Sequence, residues 1–484
     1  MAILRIDARY VVAYQDGEHR LLENGTVVVD GDRVVFAGRG YQGPADERVD
    51  AGETLVTPGF INTHAHLETA PLDKSFQEDV GARQFFYTGL VETLLLQEAS
   101  IDEEGVETCI EFSMSELIRT GTTTVMHQGV RGRRVAEACE RAGLRAYVAD
   151  GYKSGRWYTP DGNRVAYEWD EDGGLAGLER AVRLVEELRG RGSGRVQGFL
   201  SPWQANTCTP ELLKESRRLS DELDVPLTIH AAQAVFEVMD IMAAHGMTPI
   251  EYLESAGFLG PRAVLGHVIF TTGTSWLNLP GDDLRRIADS GASISYNAWT
   301  FARRGIVAES LPRYREAGVN ITLGTDTTPQ SMIESIRWSA ILGKVADRRA
   351  DSWVARDLLD AATVNAARLL GREDLGRIAP GAKADLLLWR LDGPAMSPVR
   401  DPIRNLVYYA TREDLASVIV DGQWVMRDGA VLTVDEEGLT ERLQRAGERS
   451  WARVPAGDRL GRTLEEVAPA SLRPFRTTDT KEFP

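Results

Sequence analysis

Hydrophobic and polar positions follow two rhythms along this chain, and the change between them falls near Val56. Before it, short β-branched runs are broken by turns. Thr26-Val-Val-Val-Asp-Gly-Asp-Arg-Val-Val-Phe-Ala-Gly38 sets two such runs around an Asp-Gly pair, a strong hairpin signal. After Val56, apolar runs of strand length alternate with longer amphipathic stretches, the pattern of repeated βα units on a parallel sheet. The predicted strands are Thr57 to His66, Thr122 to His127, Arg145 to Asp150, Val196 to Pro202, Leu227 to His230, Ala263 to His267, Ser293 to Asn297 and Asn320 to Asp326. Helical patterns fill most of the gaps, at Glu107 to Arg119, Pro210 to Leu223, Phe236 to Glu254, Asp282 to Ser290 and Ser310 to Ala317.

Eight such repeats predict a (β/α)8 barrel whose active site lies at the C-terminal ends of the strands. Past the barrel, Ser352 to Gly371 reads as helical. Strand grammar then returns in Gly376 to Trp389 and in Leu415 to Met426, the latter around a second Asp-Gly pair. The expected fold class is therefore α/β, a TIM-like (β/α)8 barrel with a small β-sandwich domain built from both chain ends. Residues 1–55 and 376–433 belong to the sandwich in this reading, 56–375 to the barrel, and 434–484 to a C-terminal helix and surface tail.

Composition narrows the function classes. A chain of 484 residues exceeds the ~250 to 300 that a single core usually organises, in keeping with two domains. The 43% hydrophobic and 26% charged content is that of a soluble globular protein. A net charge of -17 argues against a nucleic-acid partner, which would need a basic footprint to displace counterions. No run approaches the ~18 apolar residues of a membrane span, and Met-Ala-Ile-Leu-Arg-Ile-Asp has none of the features of a signal peptide. Three scattered cysteines, Cys109, Cys139 and Cys208, are too few for a disulfide framework or a thiolate zinc cage. The expectation is a cytoplasmic protein with a small-molecule substrate and no membrane partner.

The chemistry sits at the predicted strand ends. His64 and His66 close the first strand, and positions i and i+2 share a face, so both imidazoles can converge on one point. His127 ends the second strand, His230 the fifth, His267 the sixth and Asp326 the eighth. A closed barrel brings these ends into one mouth. Neutral imidazoles with a carboxylate are the ligand set of a catalytic zinc or iron site that keeps a position open for water.

The combination of Pro58-Gly-Phe-Ile-Asn-Thr-His-Ala-His66, His230, His267 and Gly324-Thr-Asp326 resembles the amidohydrolase superfamily, near its cytosine deaminases, triazine chlorohydrolases and urea hydrolases. Asn365-Ala-Ala-Arg-Leu-Leu-Gly and Gly376-Arg-Ile-Ala-Pro-Gly-Ala-Lys-Ala-Asp385 look like that family's passage from barrel to β domain. The resemblance implies that His64, His66, His230 and Asp326 bind one divalent metal ion, zinc first, with iron or cobalt as alternatives. It makes Asp326 and His267 the catalytic pair and implies a homodimer or higher homo-oligomer. Dinuclear members carry a bridging lysine on the fourth strand, and Val196-Gln-Gly-Phe-Leu-Ser-Pro202 offers none, so a mononuclear site is expected.

Two departures bear on the substrate. Family members that act on heteroaromatic rings place a glutamate three residues after the fifth-strand histidine, where this chain has Gln233, and their fourth strand commonly ends in Pro-His, where this chain has Trp203. Glutamine cannot transfer a proton. The expected reaction is therefore metal-dependent hydrolysis of an amide, urea or carbamate C–N bond in a molecule with an apolar or aromatic group, by hydroxide made available at the ion. A deaminase or chlorohydrolase of a nitrogen heterocycle is the alternative enzyme, and a catalytically dead binding barrel the alternative from another class. Gln128, His127, Trp203, Gln233, Trp299 and Phe86 are the expected substrate contacts, within a wider set of loop aromatics, Phe85-Phe86-Tyr87, Trp157-Tyr158, Trp276 and Phe301, of which at least three are expected to line the pocket. For His127 a hydrogen-bonded rim histidine is the first reading and substrate contact the second. Glu68 can supply a carboxylate in place of the lost one, but is expected to be a solvated or salt-bridged loop acid; Arg303 and Arg304 can bind a carboxylate, but are expected to face water.

Overall fold

The structure is a computed structural model that describes residues 3–79 and 88–475. The two β-rich ends of the chain pair in one nine-stranded sheet, in which Thr54–Pro58 is the junction. It runs parallel to Ile3–Gln15 and antiparallel to Leu386–Arg390, with Val56 opposite Leu388. Alternate positions such as Ile6, Val11, Val27, Val56, Leu386 and Ile419 supply the apolar face that holds this sheet together. The predicted Asp-Gly hairpin between Leu415–Val420 and Gln423–Arg427 has Asp421 and Gly422 at φ of 51° and 75°, the geometry that favours this pair. A Cβ on Gly422 would come within 1.9 Å of the Gly31 carbonyl oxygen, so only glycine lets the two hairpin turns meet.

The predicted strand Thr57 to His66 is two strands. Thr54–Pro58 belongs to the terminal sheet, and Phe60–Ala65 opens the parallel array. Gly59 stands at the break, where a Cβ would sit 2.1 Å from Thr123 Oγ1. The parallel array is TIM-barrel-like. Phe60–Ala65, Thr122–Gly129, Arg145–Tyr152 and the pair Val196–Gly198 and Ser201–Pro202 form one curled sheet; Leu227–Ala231, Ala263–His267, Ser293–Tyr296 and Asn320–Leu323 form the other. Parallel bridges Ala65–Asp326 and Leu200–Leu227 connect them. Nearly every residue of these strands is buried, as expected of parallel strands covered on both faces.

The helices follow the amphipathic stretches with shifted ends. Glu103–Arg119 starts earlier than its periodicity suggests because the Asp102 side chain caps it, accepting from the Gly105 N–H. The predicted helix Phe236 to Glu254 is Val235–His245 and Pro249–Ser255. Gly246 in the left-handed region ends the first, and Thr248 with Glu251 forms a capping box on the second. Ser352 to Gly371 likewise divides into Ala355–Ala362 and Val364–Leu369. The expected C-terminal helix is Leu439–Gly457. Its Ala446 packs with Leu72 and Cys109, and its Val454 with Phe76 and Leu96, so it backs the chain that follows His66. All three cysteines are buried and free. Among the described residues no helix is long and apolar enough to cross a membrane.

Candidate metal centre and its pocket

Four predicted ligands meet. One ligand atom each from His64, His66, His230 and Asp326 lies within 4.8 Å of the others. Nε2 of His64 and Nε2 of His66 are each 3.3 Å from Asp326 Oδ1, and Nε2 of His66 is 3.2 Å from Nε2 of His230. The remaining ring nitrogens are tied down behind them. His66 Nδ1 donates to the Gln128 carbonyl at 2.7 Å and His230 Nδ1 to the Trp203 carbonyl at 2.5 Å, which directs both Nε2 lone pairs inward. The Gln128 amide lies 2.8 Å from His64 Nδ1; turned with its oxygen to the ring, it fixes the same tautomer there. His64 Nε2 is buried without a hydrogen-bond partner, as a metal-ligating nitrogen would be. The donor set thus fits one divalent ion of the zinc type.

Backbone geometry aims the last two groups. Asp326 lies three residues beyond the eighth strand at φ 64°, and His267 ends the sixth at φ 76°, left-handed conformations uncommon for such residues. Asn297 Nδ2 donates to His267 Nδ1 at 3.0 Å, so His267 presents an N–H to the mouth. Burial alone would raise the Asp326 carboxyl, but the imidazoles of His267, His64 and His66 around it hold it well below its ordinary range. Burial pushes His267 down to about 3, leaving it neutral.

A cavity of about 360 Å³ opens over this centre. Trp203 and Gln233 line it, as predicted, and so do Gln128, His267 and Asp326. Trp203 leans on His66 and His230 at 5.9 and 5.7 Å, and Phe301 stands edge-on to His267 at 4.6 Å. A Cβ on Gly151 would fall 1.9 Å from the Trp203 ring, so that glycine admits the indole. Gln233 is set by Glu237, whose carboxylate accepts the backbone N–H groups of Ala232 and Gln233 at 2.8 and 2.9 Å; the Gln233 amide itself makes no hydrogen bond to the described residues.

Other expectations need correction. His127 is neither a rim residue nor a pocket residue: it is fully buried behind the wall, where its Nδ1 accepts from the Leu67 N–H. Trp299 points away, donating to the Thr328 carbonyl and packing on Trp338. Trp157 is buried against Phe236, and the half-buried Trp276 packs on Phe270. Of the proposed aromatics only Trp203 and Phe301 line the cavity among the described residues; Phe86 lies outside them. Arg303 and Arg304 do not face water. Arg303 is paired with Glu78 and lies 3.7 Å from Asp73, while Arg304 lines the cavity and donates to the Thr300 carbonyl at 2.6 Å. The acids and amides of the segment after His66 gave them partners that no periodicity announced. Glu68 is not solvated: it is buried on the cavity wall and anchored there, accepting N–H groups of Val130 and Arg131 with the Arg131 guanidinium at 3.8 Å. Sequence reading missed Asn297, Glu237, Asp73 and the grip of Gln128 on His64; Asn297 carried a usable signal, as a polar residue at the end of a predicted strand.

The model of the amidohydrolase family matches residues 55–425. A 5-methylthioadenosine/S-adenosylhomocysteine deaminase of Halobacterium salinarum is 31% identical over 432 residues, 88% of this chain and 94% of that protein. Among solved structures, an adenosine deaminase from Xanthomonas campestris with bound zinc superposes with a TM-score of 0.79 at 23% identity, covering 93% of this chain and 98% of that one. Atrazine chlorohydrolase from Arthrobacter aurescens TC1 complexed with zinc gives 0.78 at 22% identity, covering 92% and 100%.

Proposed function

The chain belongs to the amidohydrolase family and is a hydrolase of carbon–nitrogen bonds, and on that premise we propose that it removes an exocyclic amino group from a nitrogen heterocycle. His64, His66, His230 and Asp326 hold one divalent ion, zinc first, in this reading. The carrying observation is the pocket itself: Trp203 against His66 and His230 on one side and Phe301 against His267 on the other leave a slot for a flat ring over the centre. The deaminases and chlorohydrolase it is similar to, all named for heterocyclic substrates, move this substrate class ahead of an open-chain amide. The ion, when bound, lowers the pKa of water to about 7. Asp326, held ionised, accepts the proton that the attacking water gives up and passes it to the departing nitrogen, while the His267 N–H orients the oxygen. Gln233 donates a hydrogen bond to the ring and moves no proton.

Gln233 also favours a second reading, hydrolysis of an amide, urea or carbamate, because the nitrogen leaving such a group takes its proton from Asp326 without any ring nitrogen being protonated. The proposal further takes the eight strands as one closed barrel over residues 56–375, supported by the bridges at Ala65–Asp326 and Leu200–Leu227. It takes the terminal sheet as a β-sandwich of residues 1–55 and 376–433, residues 434–484 as an appended helix and tail, and the protein as a cytoplasmic homo-oligomer. The test is product release from zinc-loaded protein given 5′-deoxyadenosine, 5-methylthioadenosine, an aminotriazine, acetanilide and a phenylurea. Ammonia from the ring substrates supports the first reading; aniline alone supports the second; release from none overturns both.

A further inference from the structure

Lys153 follows the third strand and lines the same cavity as His267 and Asp326. Its ammonium stands 5.8 Å from the centre of the Trp203 ring, and that ring is the one resting on His66 and His230. The lysine is thus one indole away from the metal centre. The Lys153 side chain makes no hydrogen bond or ion pair with the described residues, and neither does the side chain of Arg156, which lines the same cavity. Other cations around the mouth are answered: Arg131 lies against Glu68 and Glu103, and Arg303 against Glu78 and Asp73. In a chain of net charge -17, these two unanswered cations stand inside the reaction cavity, where a bound substrate can meet them. Partial burial disfavours the charged form of Lys153, which lowers its pKa, and an anion beside it would restore what desolvation removes. Glu98 is the nearest acid on that wall; its field supports the ammonium, but it forms no bond to it.

We infer that Lys153, assisted by Arg156, binds a carboxylate carried by the substrate on the side away from the reacting bond. Two cations against one acid leave about one positive charge to satisfy, which suits a monoanionic carboxylate. This deepens the reading above and rests on it for the position of the reacting ring. It separates this protein's substrate from a neutral nucleoside by a group that the metal centre never touches.

The test measures dissociation constants on zinc-loaded full-length protein with two matched pairs that carry no amino or amide group to release: inosine-5′-carboxylate with inosine, and 3-phenylpropionate with 3-phenylpropanol. Wild type binds each carboxylate ~10-fold or more tightly than its neutral partner, Lys153→Met erases the difference, and Lys153→Arg keeps most of it. A preference within the phenyl pair with no binding of either inosine compound upholds the carboxylate site and removes the heterocycle reading. Equal binding within both pairs, no binding by either pair, or a preference that survives Lys153→Met and so belongs to the metal, overturns the inference.

Discussion

The third parallel strand, Arg145–Tyr152, touches two ionic clusters built on opposite principles. At its start, Arg145 is 2% exposed and donates to both oxygens of Asp385 at 3.1 and 3.2 Å and to Asp421 at 2.5 Å. Lys383 lies 3.2 Å from Asp421, and the Asp421 N–H donates to Asp385. Arg195, 3.9 Å from Asp421, and Asp32, paired with Lys383, complete a cluster of three acids and three bases, which fastens the strand array to the terminal sheet. At the other end of the array stand four donor groups with a single carboxylate among them, an orphaned His64 Nε2, an orphaned Asn297 Oδ1 and two residues in left-handed backbone. One end closes its electrostatics and the other leaves them open for an ion and a substrate. In a barrel-like fold, stability is invested at the N-terminal ends of the strands and chemistry at the C-terminal ends.

That division can be broken by two substitutions with opposite signatures. Asp326→Asn is expected to lower kcat/KM by ~10³-fold or more and to deplete bound metal, while the metal-free protein unfolds at nearly the wild-type temperature. Arg145→Ala leaves Asp385 buried without its cation, takes one cation from Asp421, and is expected to cost about 3–5 kcal/mol in denaturant unfolding. Its kcat/KM per folded molecule stays within about twofold of wild type, and the double variant shows the two effects adding. Loss of activity in the folded Arg145→Ala protein, or a large stability loss in metal-free Asp326→Asn, would show the two ends to be one system.

Legibility in the sequence divided along similar lines. The strand array was readable because buried parallel strands are nearly continuous apolar runs, and the ligands because His64, His66, His230 and Asp326 fall at their ends, where the fold makes distant residues neighbours. Gly59 was not read as a boundary, since its role is to let Thr123 pass close by, a contact invisible to periodicity. His127 looked like its fellow strand-end histidines, yet the pleat turns it behind the wall and gives Gln128 the cavity. Trp299 and Trp157 read as loop aromatics facing the pocket, but Trp299 lies in the helix Ala298–Ala302 and Trp157 in the strand Gly155–Tyr158, each packed on another aromatic ring. Arg303 and Arg304 were unreadable because their burial depends on Asp73, Gln77 and Glu78, over 200 positions away.

Asp73 lies between the two regimes and offers the gentlest test of their difference. It is 1% exposed on the cavity wall, accepts from Gln77 at 3.0 Å and from Gln97, and has Arg303 only at 3.7 Å. Burial pushes its carboxyl up to about 6, and Arg303, Arg304 and Gln97 pull against that rise without cancelling it. The raised value fixes the sign. Between about pH 4 and 6 the folded chain keeps a proton that the unfolded chain has lost, so this residue's contribution is full below about pH 4 and drains away as the pH rises through 6. Asp73→Asn keeps an oxygen for the two glutamines but cannot titrate. Urea unfolding from pH 4 to 7 should therefore show wild type losing stability relative to Asp73→Asn by up to ~1.4 kcal/mol per pH unit inside that window and by nothing further above it. A difference that grows in the opposite direction would mean that the arginines hold Asp73 ionised throughout, and that the cavity wall is as fully answered as the Arg145 cluster.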